Sequence, residues 1–422
     1  MSMTHTLHRR MLEATGLTGA GRLTEATALL QQMLQRKPVP SGSNPLAESQ
    51  RPTINGVAVP DETDGQASRR VGPIFGATNS RSPATAPDGT RPSVMPAMLR
   101  SFLDQASRGE FQLPGGLSFP APTEAPTAVP DGAQFLAGTF SNQAGSRPYR
   151  LYVPSGYRGQ AIPLIVMLHG CTQSPDDFAA GTRMNAVAEE QTCFVLYPQQ
   201  TAAANRSKCW NWFNPADQQR DRGEPALIAG ITRKVMHDYS VNPERVYVAG
   251  LSAGAAAAAI MGRAYPDLYA AIGVHSGLAC GAASDLPSAF VAMRQGSGPG
   301  EALPGTPGEK GRRVVPAIVF HGDRDTIVHP CNGDAVIAQL TEAMPLTTWT
   351  EQGRVPGGHT YDRTLHSKTN GSTVLEQWVI HDAGHAWSGG SPAGSYTDPR
   401  GPDATREMLR FFMEHPHCRS DA

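Results

Sequence analysis

Residues 245–254 read Arg-Val-Tyr-Val-Ala-Gly-Leu-Ser-Ala-Gly, and an alanine-rich stretch, Ala255–Met261, follows them. The apolar start predicts a buried strand, and the alanines predict a helix. Between them, Gly250 and Gly254 flank Ser252 in the pattern of a tight strand-to-helix turn that lifts a serine hydroxyl clear of a sheet. The helix would bring free N–H groups and a positive dipole end to the place where an oxyanion forms. We therefore predict that Ser252 is a nucleophile; the alternative is a small-residue helix that only packs closely on the sheet.

The overall charge and hydropathy of the chain limit its partners. Its 36 Lys and Arg residues nearly balance 37 Asp and Glu residues, which gives a net charge of −1 over 422 residues. This balance argues against a nucleic-acid footprint or a polybasic membrane face. Apolar runs all fall short of the roughly 20 residues that span a bilayer, so we expect no transmembrane segment. Residues 1–10 are polar and precede no continuous apolar segment, so a standard secretory signal is not visible.

The sequence pattern divides the chain into three regions. Residues 1–37 carry apolar side chains at helical spacing on both sides of a break, which predicts a helical N-terminal segment. Residues 38–132 are rich in proline, glycine and serine, so we predict a largely disordered linker with one apolar patch at 94–102 that docks as a helix. Residues 133–418 are the predicted catalytic domain.

Within the predicted catalytic domain, strand patterns alternate with helical ones. Apolar or alternating runs predict strands at 149–153, 163–169, 193–197, 245–249, 270–275, 315–321 and 375–380, and helices are predicted at 177–191 and 225–239. This alternation predicts an α/β protein with a mainly parallel central sheet and helices on both faces, and the serine turn specifies the α/β-hydrolase fold. Asn370-Gly371 predicts a type I′ hairpin at the sheet edge, and residues 295–312 predict a surface loop.

A nucleophilic serine needs a base, and that base needs an orienting carboxylate. In this fold the acid lies on a loop after a strand, between the serine and the histidine in sequence. The loop after the strand at 315–321 offers two candidates, Asp323 and Asp325. Asp323 occupies a Gly-Asp turn, where a carboxylate commonly caps backbone N–H groups. We therefore assign the acid role to Asp325 and keep Asp323 as the alternative.

The base is predicted to be His385. It lies on a glycine-flanked loop just after the strand at 375–380, and such loops carry function more often than packing. Its neighbour His381 is close enough to that strand to be a packed or hydrogen-bonded residue. Three other histidines follow the acid in sequence without following a core strand, namely His329, His359 and His366.

The oxyanion of such a mechanism needs two backbone donors that point at one place. The first predicted donor is the N–H of Ala253, the residue after the nucleophile. The second is the N–H of Cys171, in the turn after the strand at 163–169, where Gly170 permits close approach. The alternative for this turn is that it only ends a strand.

Aromatic residues are dense in the loop Cys209-Trp-Asn-Trp-Phe. Trp210, Trp212 and Trp387, which follows His385 by two residues, are predicted to form a substrate-binding wall for an acyl chain or a polymer. The alternative is that the tryptophans of the loop belong to the core.

Taken together, Ser252, Asp325, His385, residues 169–173 (His-Gly-Cys-Thr-Gln) and residues 209–213 resemble the esterase family of poly(3-hydroxybutyrate) depolymerases. That family also includes feruloyl and acetylxylan esterases, and the resemblance covers roughly residues 135–415. It implies an α/β-hydrolase that needs neither cofactor nor metal. Its expected substrates are esters, among them those of a hydroxyalkanoate polymer or granule. It also implies Ser252, Asp325 and His385 as the catalytic residues.

The resemblance extends to the oxyanion donors and to the cysteines. It implies Cys171 and Ala253 as the donors and a Cys171–Cys209 disulfide that pins the aromatic loop beside the oxyanion turn. A second pair, Cys280 and Cys331, is expected because both lie on loops after core strands. A cytosolic setting would keep Cys171 and Cys209 as thiols.

The chain also departs from the secreted members of that family. It shows an N-terminal helical segment with a long linker, and neither a signal peptide nor a separate polymer-binding domain is visible. Extracellular and cytoplasmic locations both stay open, and so does the oligomeric state. Two rival functions also stay open: an acyltransferase in which an alcohol replaces water, and a granule-binding protein targeted by its N-terminal helices.

Overall fold

The computed structural model of the chain describes residues 129–296, 314–341 and 344–417. The predicted N-terminal helices, the patch at 94–102, nearly all of the predicted loop 295–312 and Cys418 lie outside these residues. The described ranges contain the serine turn, the loop of Asp325 and the loop of His385.

A twisted sheet of ten strands forms the centre of the described part of the chain. Its strands are β1 (Gln134–Asn142), β2 (Gly145–Val153), β3 (Ile162–Leu168), β4 (Phe194–Pro198), β5 (Val241–Leu251), β6 (Ala271–His275), β7 (Ala317–Gly322), β8 (Thr347–Arg354), β9 (Thr360–Ser367) and β10 (Thr373–Ile380). Their order is β1-β2-β4-β3-β5-β6-β7-β10-β9-β8. The six central strands, β4, β3, β5, β6, β7 and β10, are parallel to one another. The two outer strands on each side, β1 and β2 on one and β9 and β8 on the other, pair in an antiparallel way. A parallel pair of two-residue strands, β11 (Trp387–Ser388) and β12 (Thr397–Asp398), lies apart from this sheet.

Seven α-helices cover the two faces of the sheet in the described ranges. They are α1 (Pro175–Thr182), α2 (Met184–Gln191), α3 (Gly223–Asp238), α4 (Ala253–Ala264), α5 (Leu286–Gln295), α6 (Cys331–Thr341) and α7 (Ala404–Glu414), and a 3-10 turn spans Pro215–Gln218. Helices α3 to α6 pack on one face, and α1, α2 and α7 pack on the other. The predicted α/β-hydrolase architecture, a mainly parallel sheet between two helical layers, is confirmed.

The two cores follow from the alternation of side chains along each buried strand. In β5, Val246 and Val248 point into the core under α4, whereas Tyr247 and Ala249 point into the core under α7. Because both faces are covered, each strand of this kind is apolar at successive positions, which is the pattern that the sequence shows.

None of the helices in the described ranges is long and apolar enough to cross a membrane.

Three local predictions need correction. The helix predicted over 177–191 is two helices, because Arg183 adopts a left-handed conformation with φ of 56° between α1 and α2. The hairpin between β9 and β10 is present, but Asn370 lacks the positive φ that a type I′ turn requires, and only Gly371 adopts one, at 82°. The hairpin is also not at the edge, because β8 pairs outside β9.

Candidate active site

Ser252 lies on the turn between β5 and α4, at the carboxyl ends of the parallel strands. Its φ of 58° and ψ of −120° are strained for a residue with a side chain. A Cβ on Gly250 would lie 2.4 Å from the backbone of Gly254, and a Cβ on Gly254 would lie 2.0 Å from the carbonyl oxygen of Leu168. Glycine is therefore required on both sides of the serine, as the sequence pattern indicated.

Asp325 lies in the loop after β7 and is only 4% exposed. Its Oδ1 accepts hydrogen bonds from the N–H groups of Ile327 and Val328, each at 2.9 Å. Its Oδ2 lies 2.7 Å from Nδ1 of His385 and 3.4 Å from Nε2 of His321. Burial by itself raises the pKa of Asp325, but the charge of His385 and the hydrogen bonds from both histidines bring it well below its ordinary value. The carboxylate is therefore charged and fixed against His385.

His385 lies in the loop after β10, with its side chain largely buried. Because Nδ1 is engaged by Asp325, Nε2 is the nitrogen left to face a nucleophile. Between the described side chains of Ser252 and His385 the structure has no hydrogen bond, and such bonds commonly tighten only when substrate is present. The structure thus joins the predicted acid to the predicted base, and it brings the serine to the same rim.

His275, the last residue of β6, connects the loops of the serine and the histidine. Its carbonyl accepts the N–H of Ser252 at 2.9 Å. Its Nε2 accepts the N–H of Ser388 at 3.0 Å, three residues after His385. Burial is the main cause that lowers the pKa of His275 to about 3, so the ring is neutral and accepts this bond at any ordinary pH.

The other aspartate of the acid loop has a different partner. Asp323 Oδ2 lies 3.0 Å from Nδ1 of His381, and its Oδ1 accepts the N–H of Asp382 at 2.7 Å. The structure therefore separates the two candidates, since Asp325 contacts His385 and Asp323 contacts His381.

The remaining candidate histidines lie in other surroundings. His359 Nε2 lies 2.9 Å from Asp398 Oδ2, and His366 is buried on β9. His329 Nδ1 lies 2.9 Å from the Sγ of Cys331. None of these three rings contacts the carboxylate of Asp325 in the described structure, which leaves His385 in the predicted place.

The turn after β3 lies against the serine turn. A Cβ on Gly170 would be 3.7 Å from the Cβ of Ser252. The N–H of Gln200 donates to Nε2 of His169 at 3.0 Å, so the proton of this ring is on Nδ1, which donates to the Gly170 carbonyl at 2.7 Å. Burial lowers the pKa of His169 to about 4 and keeps the ring neutral. Because the N–H and C=O of a trans peptide point in opposite directions, His169 also fixes the direction of the Cys171 N–H.

The two predicted oxyanion donors are both available. Ala253 is the first residue of α4, where an N–H group has no partner inside the helix. Neither its N–H nor that of Cys171 has an acceptor among the described residues. Both groups are therefore free to bind an anion beside Ser252.

A disulfide joins Cys171 to Cys209, the bond that the family resemblance implied. Two hydrogen bonds also hold the aromatic loop, one to the same turn and one to Gln200 after β4. The indole N–H of Trp210 donates to the carbonyl of His169 at 3.1 Å, and the amide of Gln200 donates to the carbonyl of Cys209 at 3.0 Å. The loop 209–213 is thus attached to the oxyanion turn by a disulfide and by the hydrogen bond from Trp210.

The predicted wall of exposed tryptophans is wrong. Trp210, Trp212 and Trp387 are 0%, 5% and 0% exposed, so they belong to the core. A buried indole needs a hydrogen-bond acceptor, and Trp387 finds one in the hydroxyl of Thr405 at 2.9 Å. The alternative, in which these side chains pack and hold loops in place, describes all three.

The expected Cys280–Cys331 disulfide is also wrong. The backbone N–H and carbonyl of Cys280 both bond to the side chain of Gln339 on α6. The sulfur atoms of Cys280 and Cys331 are not joined in the structure, and Cys331 Sγ lies 2.9 Å from Nδ1 of His329. No group of three or more His, Cys, Asp or Glu side chains in the described ranges is arranged to hold a metal ion.

The sequence does not predict three polar contacts near the site. Tyr396 places its hydroxyl 3.2 Å from that of Thr172, and Ser395 accepts a bond from the amide of Gln173, so the loop after β11 packs on the oxyanion turn. The buried Glu224 accepts bonds from the N–H and the amide of Asn211. These residues are isolated in a glycine-rich loop or a helix start, and no periodicity or spacing distinguishes them.

The sheet order, the serine turn and the loops at its rim define an α/β-hydrolase. Residues 147–356 match the family model described as esterase PHB depolymerase. The chain is 31% identical over 300 residues to poly(3-hydroxyalkanoate) depolymerase C of Paucimonas lemoignei, a match that covers 68% of this chain and 70% of that protein. The chain therefore belongs to the PHB depolymerase esterase family and is a carboxylic ester hydrolase, which confirms the resemblance seen in its motifs.

Other relatives are named for other esters. Feruloyl esterase B of Thermothelomyces thermophilus is 27% identical over 209 residues, 46% of this chain and 69% of that protein. The acetylxylan esterase of Coprinopsis cinerea is 27% identical over 253 residues, 60% of this chain and 65% of that protein. The solved acetyl xylan esterase from Aspergillus awamori shares the fold, with a TM-score of 0.50 and 19% identity over 67% of this chain and 99% of that one.

Proposed function

We propose that this chain hydrolyses hydroxyalkanoate esters, as polymer or oligomers, through an acyl-enzyme on Ser252. The observation that supports this most directly is the 2.7 Å contact between Asp325 and His385 at the rim that carries the serine turn. His385 takes the proton of the serine hydroxyl through Nε2 as the hydroxyl attacks the ester carbonyl. The same nitrogen then protonates the departing alkoxide, and it later activates the water that releases the acid.

The role of Asp325 follows from its fixed charge. Two backbone N–H groups hold one carboxylate oxygen, so the other is aimed at Nδ1 of His385 without a loss of side-chain entropy during the reaction. The carboxylate keeps Nε2 as the acceptor nitrogen and stabilises the imidazolium when the proton arrives. Because its pKa is held low, it stays ionised throughout the working pH range.

The oxyanion is bound by the N–H groups of Cys171 and Ala253. Both are free of acceptors in the described structure, and their turns lie side by side, since a Cβ on Gly170 would be 3.7 Å from that of Ser252. The bond from His169 to the Gly170 carbonyl orients the first donor before substrate arrives. Such preorganised donors act more strongly than water because they need no reorganisation in the transition state.

The substrate class is supported by the relatives. Two proteins that this chain resembles are named for poly(3-hydroxyalkanoate) or poly(3-hydroxybutyrate), whereas others are named for feruloyl or acetylxylan esters. Trp210, Trp212 and Trp387 are buried, so these three side chains do not select an aromatic acyl group, and the relative with 31% identity favours the hydroxyalkanoate.

Product release from defined esters tests this proposal. The purified chain is supplied with polyhydroxybutyrate film, soluble hydroxybutyrate oligomers, a feruloyl ester and an acetylated xylan, and Ser252→Ala serves as the control. We expect hydroxybutyrate release from film or oligomers at a rate that Ser252→Ala lacks. Exclusive release of ferulate or acetate would contradict the hydroxyalkanoate assignment. Formation of a new ester with an added alcohol, in place of the free acid, would show acyl transfer.

A further inference from the structure

A second carboxylate–imidazole pair lies immediately beside Asp325 and His385. It consists of Asp323 and His381, whose polar atoms are 3.0 Å apart. Asp323 is two residues before Asp325, and His381 is four residues before His385, so the same two loops carry both pairs. Asp323 and His381 are about one-third exposed, whereas the side chain of Asp325 is buried.

The backbones of these two loops are also joined. The N–H of Asp323 donates to the carbonyl of Ile380, and the N–H of Arg324 donates to the carbonyl of Ala383, both at 3.0 Å. A Cβ on Gly322 would lie 2.4 Å from the carbonyl oxygen of Ala383, so no side chain fits between the loops. The loop that carries His385 therefore rests directly on the loop that carries its acid.

The side chain of Asp323 adds a further bond between the two loops, at the residue with a strained backbone, Asp382. Asp382 adopts a left-handed conformation with φ of 59°, which costs free energy for a residue other than glycine. Asp323 Oδ1 accepts the N–H of that same residue at 2.7 Å, and Oδ2 accepts from His381 at 3.0 Å. One carboxylate thus holds two consecutive residues of the turn that leads, three residues later, to His385.

His381 lies between two carboxylates. Its Nδ1 faces Asp323, and its Nε2 lies 3.4 Å from Asp362 on β9, whose carboxylate also accepts from Gln352 on β8. The hydrogen bond to Asp323 is the main cause that raises the pKa of His381 above its ordinary value. The other charged pair at this place, Arg324 with Asp382 at 3.7 Å, is highly exposed on both sides.

We infer that Asp323 is a positioning residue: its carboxylate, through Asp382 and His381, sets the distance between His385 and Asp325. This inference rests on the proposed function, because it concerns the imidazole that serves Ser252. An error of about 1 Å in such a contact costs roughly 100-fold in rate. Asp323 touches neither the serine nor His385 in the described structure, so its effect falls on kcat and leaves substrate binding unchanged.

The test compares three variants in the full chain. Asp323→Ala removes both hydrogen bonds. Asp323→Asn keeps an acceptor for the Asp382 N–H but loses the negative charge that faces His381, and Arg324→Gln breaks only the exposed ion pair. With a soluble p-nitrophenyl ester we expect kcat to fall about 10- to 100-fold in Asp323→Ala and less in Asp323→Asn, with KM unchanged in both. Arg324→Gln is expected to match the wild type.

A spectroscopic signal separates positioning from general stability. The proton between Asp325 and His385 is assigned by its disappearance in Asp325→Asn, and its NMR resonance is expected to shift or broaden in Asp323→Ala but not in Arg324→Gln. Rates are normalised to the number of sites that react with an irreversible serine reagent. An unmoved resonance with normal kcat per reactive site in Asp323→Ala overturns the inference. If Ser252→Ala retains wild-type turnover, the proposed function itself fails, which is a different result.

Discussion

The carboxylate of Asp325 lies 2.7 Å from Nδ1 of His385, although 60 residues separate the two in sequence. The contact exists because β7 and β10 are parallel neighbours, so the loops that follow them leave the sheet at the same edge. Ser252 follows β5, two strands away from β7, and the carbonyl of His275 holds its N–H. The topology of the sheet thus assembles the three predicted catalytic residues.

Replacing Asp325 by Asn is expected to lower kcat by about four orders of magnitude, because the imidazole loses both its orientation and its counter-charge. The matched control is Asp398→Asn, which alters another His–Asp contact, the partly buried one of 2.9 Å with His359. We expect the control to lower the thermal midpoint while kcat per folded molecule stays near that of the wild type. Equal losses of kcat in the two variants would contradict the assignment.

Gly254→Ala is expected to abolish activity and to destabilise the fold, because the new Cβ would lie 2.0 Å from the carbonyl oxygen of Leu168. Gly384→Ala makes the same chemical change one residue before His385, at a position with no neighbouring atom within 4 Å. It should fold normally. Thermal denaturation and ester turnover measured on both variants check this, and a Gly254→Ala protein that is as stable as the wild type would show that the turn relaxes freely.

Replacing both Cys171 and Cys209 by Ser is expected to reduce the free energy of unfolding by up to about 4 kcal/mol, since the bond closes a loop of 38 residues. It should also lower kcat, because Cys171 provides an oxyanion donor and its turn loses a covalent attachment. Urea denaturation and steady-state kinetics measure the two effects. Cys331→Ser is the control, and we expect it to change neither quantity strongly; a double variant with unchanged kcat would show that the hydrogen bonds alone hold the turn.

The stability of the protein is expected to fall in mild acid because of His169. Its pKa is lowered from 6.5 to about 4, chiefly by burial, so below pH 6.5 the unfolded chain binds a proton that the folded protein does not. The contribution is present above pH 6.5 and is lost as pH falls towards 4, by at most about 3 kcal/mol. The free energy of unfolding of the wild type relative to His169→Gln should therefore shrink over that interval. A difference that is constant with pH would contradict the buried neutral ring.

The sequence predicts the serine turn well because its requirement is local: two glycines flank a serine between a strand and a helix. Asp325 and His385 are also predictable, because each follows a buried strand whose apolar run is easily recognised. The burial of Trp210 is not predictable in this way, since it depends on an acceptor 41 residues away, the carbonyl of His169. The strand β8 is missed because its side chains are mostly exposed and show no apolar alternation.

The pairing of Asp323 with His381 is likewise absent from the sequence pattern. Asp323 is the alternative acid and His381 is interpreted as a packed or hydrogen-bonded residue, but nothing in their spacing states that they bind each other. The same holds for the division of the helix at Arg183, where an arginine adopts a conformation that usually favours glycine. Contacts between distant loops and exceptions to local preferences are decided by the tertiary structure.

Covalent labelling of the full chain by a p-nitrophenyl phosphonate ester tests the central claim most directly. Peptide mapping by mass spectrometry locates the adduct, and turnover of a soluble butyrate ester is followed in the same sample. We expect one phosphonyl group per molecule, on Ser252, with activity lost in proportion to labelling, and no adduct there in Asp325→Asn on the same time scale. An adduct on another residue, or full turnover by a protein already labelled at Ser252, would contradict the account.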